Sequence, residues 1–472
     1  MSTAIEVDVL KDELETKLSA FDQQHILAHW AGLDETQRRR LADDINSIDL
    51  EQIQRLYANF GDEAEIPTDA SAYEEPDGFA LADPTPRFTR EQAQAAGEAA
   101  LQAGTVGVVI VAGGQGTRLG FAHPKGMYPI APNSKSTLFE ILIGKVRAAS
   151  TKYNVSIPVY LMTSPATHQE TVDFLNENDR FGLAEDELVV FCQGTMPAVT
   201  LENGKLLLAE KDALFRSPDG HGGMLQALES SGSFRHMKQR GIEHLFYLQI
   251  DNPLVDIAGA DAIGYHVLAN SEATTVVIRK TDPLEKVGNI AVLDNKTQVV
   301  EYSDLPEQVA KLRRDDGSLL LWAGNVAVHV WDVSFLEQKA NSTDGLPFHY
   351  ARKKVPFVSI DGTINRPTEP NGVKFERFIF DLLPEARRSI VVEVDRGSYF
   401  APLKNPTGSP GDTPESVAKQ MSELHRQWIE AAGGTVNDGV TVEIQPSYAN
   451  SAEDVAAKLK PGTTFDSDTI LS

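Results

Sequence analysis

The sequence predicts an α/β protein built on a doubly wound, mixed, mainly parallel sheet. An N-terminal helical region precedes the sheet and a small β-rich C-terminal domain follows it. Three observations carry this expectation. Apolar runs alternate with stretches of helical periodicity between residues 89 and 252, the pattern of strand–helix–strand units. The first of these runs, Val106 to Ala112 (VGVVIVA), is almost continuously apolar and rich in valine, as a strand buried on both faces must be. Before residue 60, apolar residues instead recur at three and four, as in Leu10, Leu14, Leu18 and Phe21. The expected division is 1–88 for the helical region and its linker, 89–384 for the α/β domain, and 385–472 for the C-terminal domain.

Each element follows from local signals. Asp34 and Asp49 are placed to start the second and third N-terminal helices. The stretch HILAHW (His25 to Trp30) shows no chemistry of its own. Residues 61–88, with EEPDG and DPTP, read as a connector. Glu91 to Ala103 reads as a helix leading into the valine-rich strand. Thr137 to Ala149 is a helix, Ile157 to Thr163 a strand, Ala166 to Asn176 a helix, and Leu188 to Cys192 a strand. Leu245 to Asn252 (LFYLQIDN) is a further strand, and Thr274 to Trp331 is strand-rich. Arg352, Lys353 and Lys354 resemble a second phosphate patch but read more simply as solvated helix charges, and no role is assigned to them. Residues 405–416 (NPTGSPGDTPES) form a loop before a helix over Ser416 to Ala432, and 440–449 (VTVEIQPSYA) reads as a strand.

The chain has 472 residues and a formal net charge of −25, which disfavours general binding to nucleic acid or anionic membranes. Residues 1–80 hold 19 acidic and 6 basic side chains, so 13 of those negative charges lie in this stretch. No run is long and apolar enough to span a bilayer, and MSTAIEVDVLKDELETK lacks the plan of a signal peptide. The single cysteine, Cys192, excludes an internal disulfide and reads as a small apolar residue near a strand end. A cytoplasmic location is expected.

The chemistry begins where the valine-rich strand ends. Gly113, Gly114, Gly116 and Gly120 follow it within eight residues, with Arg118 and Lys125 in the same stretch. Glycines let main-chain N–H groups approach a ligand, and fixed cations neutralise it, so the loop suits a polyphosphate. It is not a Walker A loop, because Lys125 precedes Gly126 and Met127 follows. It is not the dinucleotide fingerprint either: counted from Gly114, Gly116 fits but Leu119 stands at the third glycine position. A second glycine cluster, Gly220, Gly222 and Gly223, lies in PDGHGG. Asp251 ends an apolar strand, where open α/β sheets place ligands, and is a hard oxygen donor suited to magnesium. Taken alone it is equally a turn aspartate. Gln193, Gly288, Glu301, Asn325 and Lys404 are polar or backbone-permissive points whose ordinary readings are loop, strand-edge, turn and surface residues.

The string AGGQGTRLG followed by PKGM resembles the signature loop of eukaryotic-type UDP-sugar pyrophosphorylases, above all the branch that makes UDP-N-acetylglucosamine. The resemblance runs in order through FCQG, PDGHGG, QIDN, EYS, AGN and PLKN, to about residue 420. It implies the Rossmann-like fold of nucleotide-diphospho-sugar transferases. It also implies a reaction of UTP with a sugar 1-phosphate that yields a UDP-sugar, UDP-N-acetylglucosamine or UDP-glucose, and pyrophosphate. Under it Arg118, Lys125 and Lys404 are catalytic, and Gly113, Gly114, Gln193 and Gly220 hold the nucleotide. His221, Gly288, Glu301 and Asn325 read the sugar, and Asp251 holds Mg²⁺. Phe378 and Phe380 fall near the sugar or in the core. One departure stands out: the N-acetylglucosamine branch has asparagine where this chain has His221, whereas glucose and broad-specificity relatives carry histidine in a similar loop. The expectation from another class is a catalytically silent nucleotide-sugar sensor. All four charged candidates are present, which favours the enzyme.

Overall fold

The computed structural model describes residues 2–61, 66–342 and 345–472, and the side chains from residue 9 onward. Two compact units emerge, and neither is continuous in the chain. One gathers Met1–Glu65, Gly194–Gly223 and Leu346–Ile379; the other gathers Ile66–Gln193, Met224–Gly345 and Phe380–Ser472.

The larger unit is organised by one sheet. Its strands run in the order Gly78–Phe79, Ser389–Val394, Ala273–Arg279, Ala323–Asp332, His244–Gln249, Val106–Val111, Val159–Thr163 and Leu188–Cys192. Ala323–Asp332 pairs antiparallel with both neighbours in this path, and every other pairing along it is parallel. The expected mixed, mainly parallel sheet is therefore present. Val106, Val108, Val109 and Ile110 are all buried, as the unbroken apolar run requires. The hairpin Gly288–Leu293 and Lys296–Val300 joins the sheet through Gly288 opposite Asn325.

The expected helices fall within a few residues of their places. Arg90–Gln102 is capped by Thr89 in a capping box, and Leu138–Tyr153 is capped by Thr137. Pro414–Ala431 starts behind Thr413, with the proline in its first turn, where a missing N–H costs nothing. Beyond it the chain forms a small cluster around Ile429, Val442, Ile444 and Val455. The strands there are short: Thr435–Val436 pairs with Thr464–Phe465, and Val442–Ile444 with Thr469–Leu471.

The smaller unit joins the N-terminal helices to two distant segments. Leu14, Leu18, Leu41, Ile45 and Ile53 bury their side chains with Val199, Leu206, Val373 and Phe375. Asp34 and Asp49 cap the helices Glu35–Asn46 and Leu50–Ala58, as expected. Arg352 and Lys353 lie on the strand His349–Lys353, not on a helix, because that stretch pairs with Gly372–Glu376 in an antiparallel sheet.

Two helices of the larger unit approach unusually closely. A Cβ on Gly97 of Arg90–Gln102 would lie 1.9 Å from the carbonyl oxygen of Ala260, and one on Gly264 of Ala260–Leu268 would lie 1.6 Å from that of Ala93. Each glycine thus makes room for the other helix's backbone. Alanine would gain about 1 kcal/mol of helix propensity over glycine. Overpacking costs about 1–3 kcal/mol, and here the obstacle is backbone that cannot rotate away. Gly264→Ala is therefore expected to lower the melting temperature, and Gly264→Val to lower it further. A melting temperature unchanged in both would show that the helices separate freely.

Candidate functional site

Four neighbouring parallel strands end along one edge of the large sheet. Their registers are Gln249 with Val111, Val111 with Met162, and Met162 with Phe191. The residues that follow, Gly113, Ser164, Gln193 and Asp251, accordingly line that edge. Connections leave the Val106–Val111 strand toward one side and reach His244–Gln249 on the other, which makes this the switch point where such sheets bind ligands.

The glycine loop folds back on itself. The Lys125 N–H donates to the Gly114 carbonyl at 3.0 Å, and the Gly116 N–H donates to His123 at 2.9 Å. Gly120 adopts a left-handed φ of 73°, open to glycine with little strain. Gly113 is needed for a different reason: a Cβ there would lie 2.9 Å from Nε2 of Gln193 and 3.3 Å from Ser164. The buried Gln193 amide therefore rests against the Gly113 backbone. Ser164 donates its hydroxyl to the Gly113 carbonyl at 2.7 Å and holds the loop to the neighbouring strand.

The charged candidates are linked through one chain of contacts. Lys125 Nζ lies 3.4 Å from Oδ2 of Asp251, long for a charge-assisted hydrogen bond, and both side chains are 17% exposed. The Asp251 carbonyl accepts from the Leu403 N–H at 2.8 Å, which brings in the segment carrying Lys404. Asn405 in that segment accepts from Nη2 of Arg118 at 3.2 Å, and the contacts return to the glycine loop. Lys404 itself lies over the Phe400 ring at 5.6 Å and lines a cavity of about 370 Å³ with Lys286, Arg396 and Asp412. Arg118, Lys125 and Asp251 thus share one run of contacts with the backbone of the Lys404 segment, although 286 positions separate Arg118 from Lys404.

Gly288, Glu301 and Asn325 form a second group in this unit. Gly288 pairs with Asn325 across the strands. A Cβ on Gly288 would lie 3.2 Å from Oε1 of Glu301 and 3.6 Å from Cβ of Asn325. A bulge opposite Val276 and Val277 turns the strand here, and Ala327 takes a φ of 57°. Oδ1 of Asn325 accepts from the Ala327 N–H at 2.9 Å and fixes the side chain within the bulge.

Gly220 and His221 belong to the smaller unit. Gly220 has a φ of 86°, and a Cβ there would lie 2.3 Å from the carbonyl oxygen of Arg377, so only glycine fits. Nδ1 of His221 accepts from the Ile379 N–H at 3.2 Å, and its ring stacks on Phe378 at 5.3 Å. His349 stacks on the same phenylalanine at 4.3 Å. Burial, then the neighbouring His349, push the His221 imidazole down to about 4. Asp219 is also buried, which raises its carboxyl above the usual range despite Arg377 nearby. The sequence reading missed Ser164, Asn252 and Asn405. Asn252 and Asn405 sit beside assigned residues in QIDN and PLKN, so adjacency was the available signal.

The described residues offer no group of three or more His, Cys, Asp or Glu side chains able to hold a metal by themselves. Asp251 is a single hard donor beside a lysine that suits a phosphate. That arrangement fits Mg²⁺ carried by a triphosphate, which keeps few protein ligands and takes the rest from phosphate and water.

Comparison with known proteins matches this framework. The family described as UTP--glucose-1-phosphate uridylyltransferase matches residues 71–409. The chain belongs to this family. It is a nucleotidyltransferase that forms a UDP-sugar and pyrophosphate from UTP and a sugar 1-phosphate. The UDP-N-acetylglucosamine pyrophosphorylase of Saccharomyces cerevisiae is 37% identical over 379 residues, 79% of each chain. The UDP-N-acetylglucosamine diphosphorylase 2 of Arabidopsis thaliana is 34% identical over 473 residues, 96% of this chain and 92% of its own length. Among solved structures, that of a putative UDP-N-acetylglucosamine pyrophosphorylase from Entamoeba histolytica superposes with a TM-score of 0.76 at 30% identity. It covers 85% of this chain and 100% of its own. No helix among the described residues is long and apolar enough to cross a membrane.

The depressed His221 has a consequence for stability. Its imidazole stays neutral in the folded chain down to about pH 4, whereas an unfolded histidine takes a proton near 6.5. The unfolded state therefore binds more protons as pH falls from 6.5 toward 4, and stability is lost across that window. The drop in melting temperature between pH 7 and pH 5 is expected to be smaller in His221→Asn than in the parent. An equal drop in both would show that the imidazole is not held neutral.

Proposed function

We propose that the chain transfers the uridylyl group of UTP to N-acetylglucosamine 1-phosphate, with Mg²⁺ as cofactor. The observation that carries the site is the closed run of contacts from Lys125 through Asp251 and Leu403 to Asn405 and Arg118. It gathers fixed positive charge around one carboxylate in a chain whose net charge is −25. The relatives named for N-acetylglucosamine support the sugar.

A phosphate oxygen of the sugar 1-phosphate attacks the α-phosphorus of UTP in line, and pyrophosphate leaves from the opposite side. No protein nucleophile is required, so catalysis consists of positioning and charge stabilisation. Arg118 and Lys125 hold the leaving pyrophosphate. Lys404 orients the incoming sugar phosphate. Gly113, Gly114 and Gln193 hold the uridine; the Gln193 amide can both donate to and accept from the uracil edge. Gly288, Glu301 and Asn325 contact the sugar hydroxyls. Asp251 would hold Mg²⁺, which would supply neutralisation of charge on the phosphates undergoing transfer.

His221 favours a second reading, glucose 1-phosphate as the preferred acceptor, because glucose-using relatives carry histidine in a similar loop. Pyrophosphate release with UTP, Mg²⁺ and a panel of sugar 1-phosphates separates the two. A larger kcat/KM for N-acetylglucosamine 1-phosphate is expected, and a larger value for glucose 1-phosphate would favour the second. No release with any sugar would overturn both.

Two variants test the machinery in the same assay. Lys125→Ala is expected to lower kcat by about 100- to 1000-fold, the usual cost of losing one fixed group that acts on transition-state charge. Near-normal turnover would remove Lys125 from the mechanism. Asp251→Asn is expected to shift the magnesium dependence of the rate to higher concentration; an unaltered titration would remove Asp251 as the metal-binding group.

A further inference from the structure

Asn252 takes no part in the proposed chemistry, yet it is 3% exposed and both the Nδ2 and Oδ1 ends of its amide are hydrogen-bonded. Its Nδ2 donates to the Tyr399 carbonyl at 3.0 Å. Its Oδ1 accepts from the Ala401 N–H at 3.1 Å and from the Leu254 N–H at 3.3 Å. Two of these bonds reach 147 and 149 positions along the chain, so the side chain is not a local turn or helix cap. Both reach the segment that carries Lys404. The preceding residue, Asp251, adds a third tie through its carbonyl to the Leu403 N–H at 2.8 Å.

The other side of the same turn is held from the helix that follows the glycine loop. Lys145 on Leu138–Tyr153 donates from Nζ to the Pro253 carbonyl at 2.7 Å and to the Val255 carbonyl at 3.0 Å. Three pieces of chain are thereby joined around residues 251–255: the helix behind the Lys125 loop, the end of the Asp251 strand, and the Lys404 segment. Main-chain carbonyls and N–H groups are the partners throughout, so the side chains of Asp251 and Lys404 remain available for substrate.

We propose that Asn252 is a positioning residue for uridylyl transfer: it sets the separation of the Asp251 carboxylate and Lys404, while Lys145 braces the turn. This rests on the reading of the site given above. In-line attack needs the acceptor phosphate, oriented by Lys404, at a fixed distance from the α-phosphate beside Asp251. A misplacement of about 1 Å costs about 100-fold in rate. Loosening the clamp therefore reduces turnover through geometry, without removing a group that touches substrate.

The test is a double-mutant cycle on the full chain with Asn252→Ala, Lys404→Ala and the pair, measuring kcat, KM for each substrate and melting temperature. Asn252→Ala is expected to lower kcat by about 10- to 100-fold while leaving KM for UTP within about threefold. In the Lys404→Ala background the same change is expected to cost less than about threefold, because residues acting as one unit are not additive. Multiplying effects, or a folded Asn252→Ala with wild-type kcat, would overturn the clamp. A Lys404→Ala variant with wild-type turnover would instead overturn the assignment of Lys404, and the clamp with it. Should Asn252→Ala fail to fold, Lys145→Met and Lys145→Arg take its place. Lower kcat in the first, partly restored in the second, supports the clamp; equal turnover in both and in the parent overturns it.

Discussion

The arrangement depends on a main-chain hydrogen bond, from the Leu403 N–H to the Asp251 carbonyl. It joins a strand end to a segment some 150 positions away and stands beside the buried Asn252 amide, which repeats the join twice. A buried peptide group left unpaired costs about 1–3 kcal/mol, so several such bonds together hold the two segments in one register. The Asp251 and Lys404 side chains are then not needed for that join. Lys125 and Asp251 meet only at 3.4 Å, close enough to share a ligand and too loose to be locked together.

The sheet supplies the platform for that join. Parallel strands buried on both faces cannot slip without exposing valine and isoleucine, so their carboxyl ends are fixed relative to one another. Gly113, Ser164, Gln193 and Asp251 inherit that precision. The glycines act differently from place to place. Gly113 leaves room for Gln193, Gly288 leaves room for Glu301, and Gly220 meets the Arg377 backbone at a positive φ. The common effect is close approach of main chain to functional groups.

Electrostatics explains why these cations are so concentrated. A net charge of −25 repels a triphosphate at long range, and that repulsion is screened beyond about 10 Å at ordinary ionic strength. Under the proposed reading, Arg118 and Lys125 in the loop would act at short range, where screening is weak. The acidic excess of residues 1–80 belongs largely to a helical scaffold whose buried face is leucine and isoleucine.

Much of this was legible in the residues themselves. The valine run, the cap residues Asp34, Asp49 and Thr137, and the close-set glycines are local signals, and local physics determines them. The antiparallel strand Ala323–Asp332 was not legible, because its direction is a property of pairing partners far away. Arg352 and Lys353 were placed on a helix for the same reason: only the partner strand Gly372–Glu376 makes them a strand. Asn252 looked like the tail of a motif because its bonds reach residues that no window of sequence contains. By itself, then, the sequence determined the strands from Val106 to Cys192, the helix starts and the glycine loop, which depend on neighbours within a few residues, and the family, through motifs recurring in order along the chain. Tertiary structure alone decided which distant segment stands beside Asp251, since hydrogen bonds across some 150 positions leave no periodicity to read.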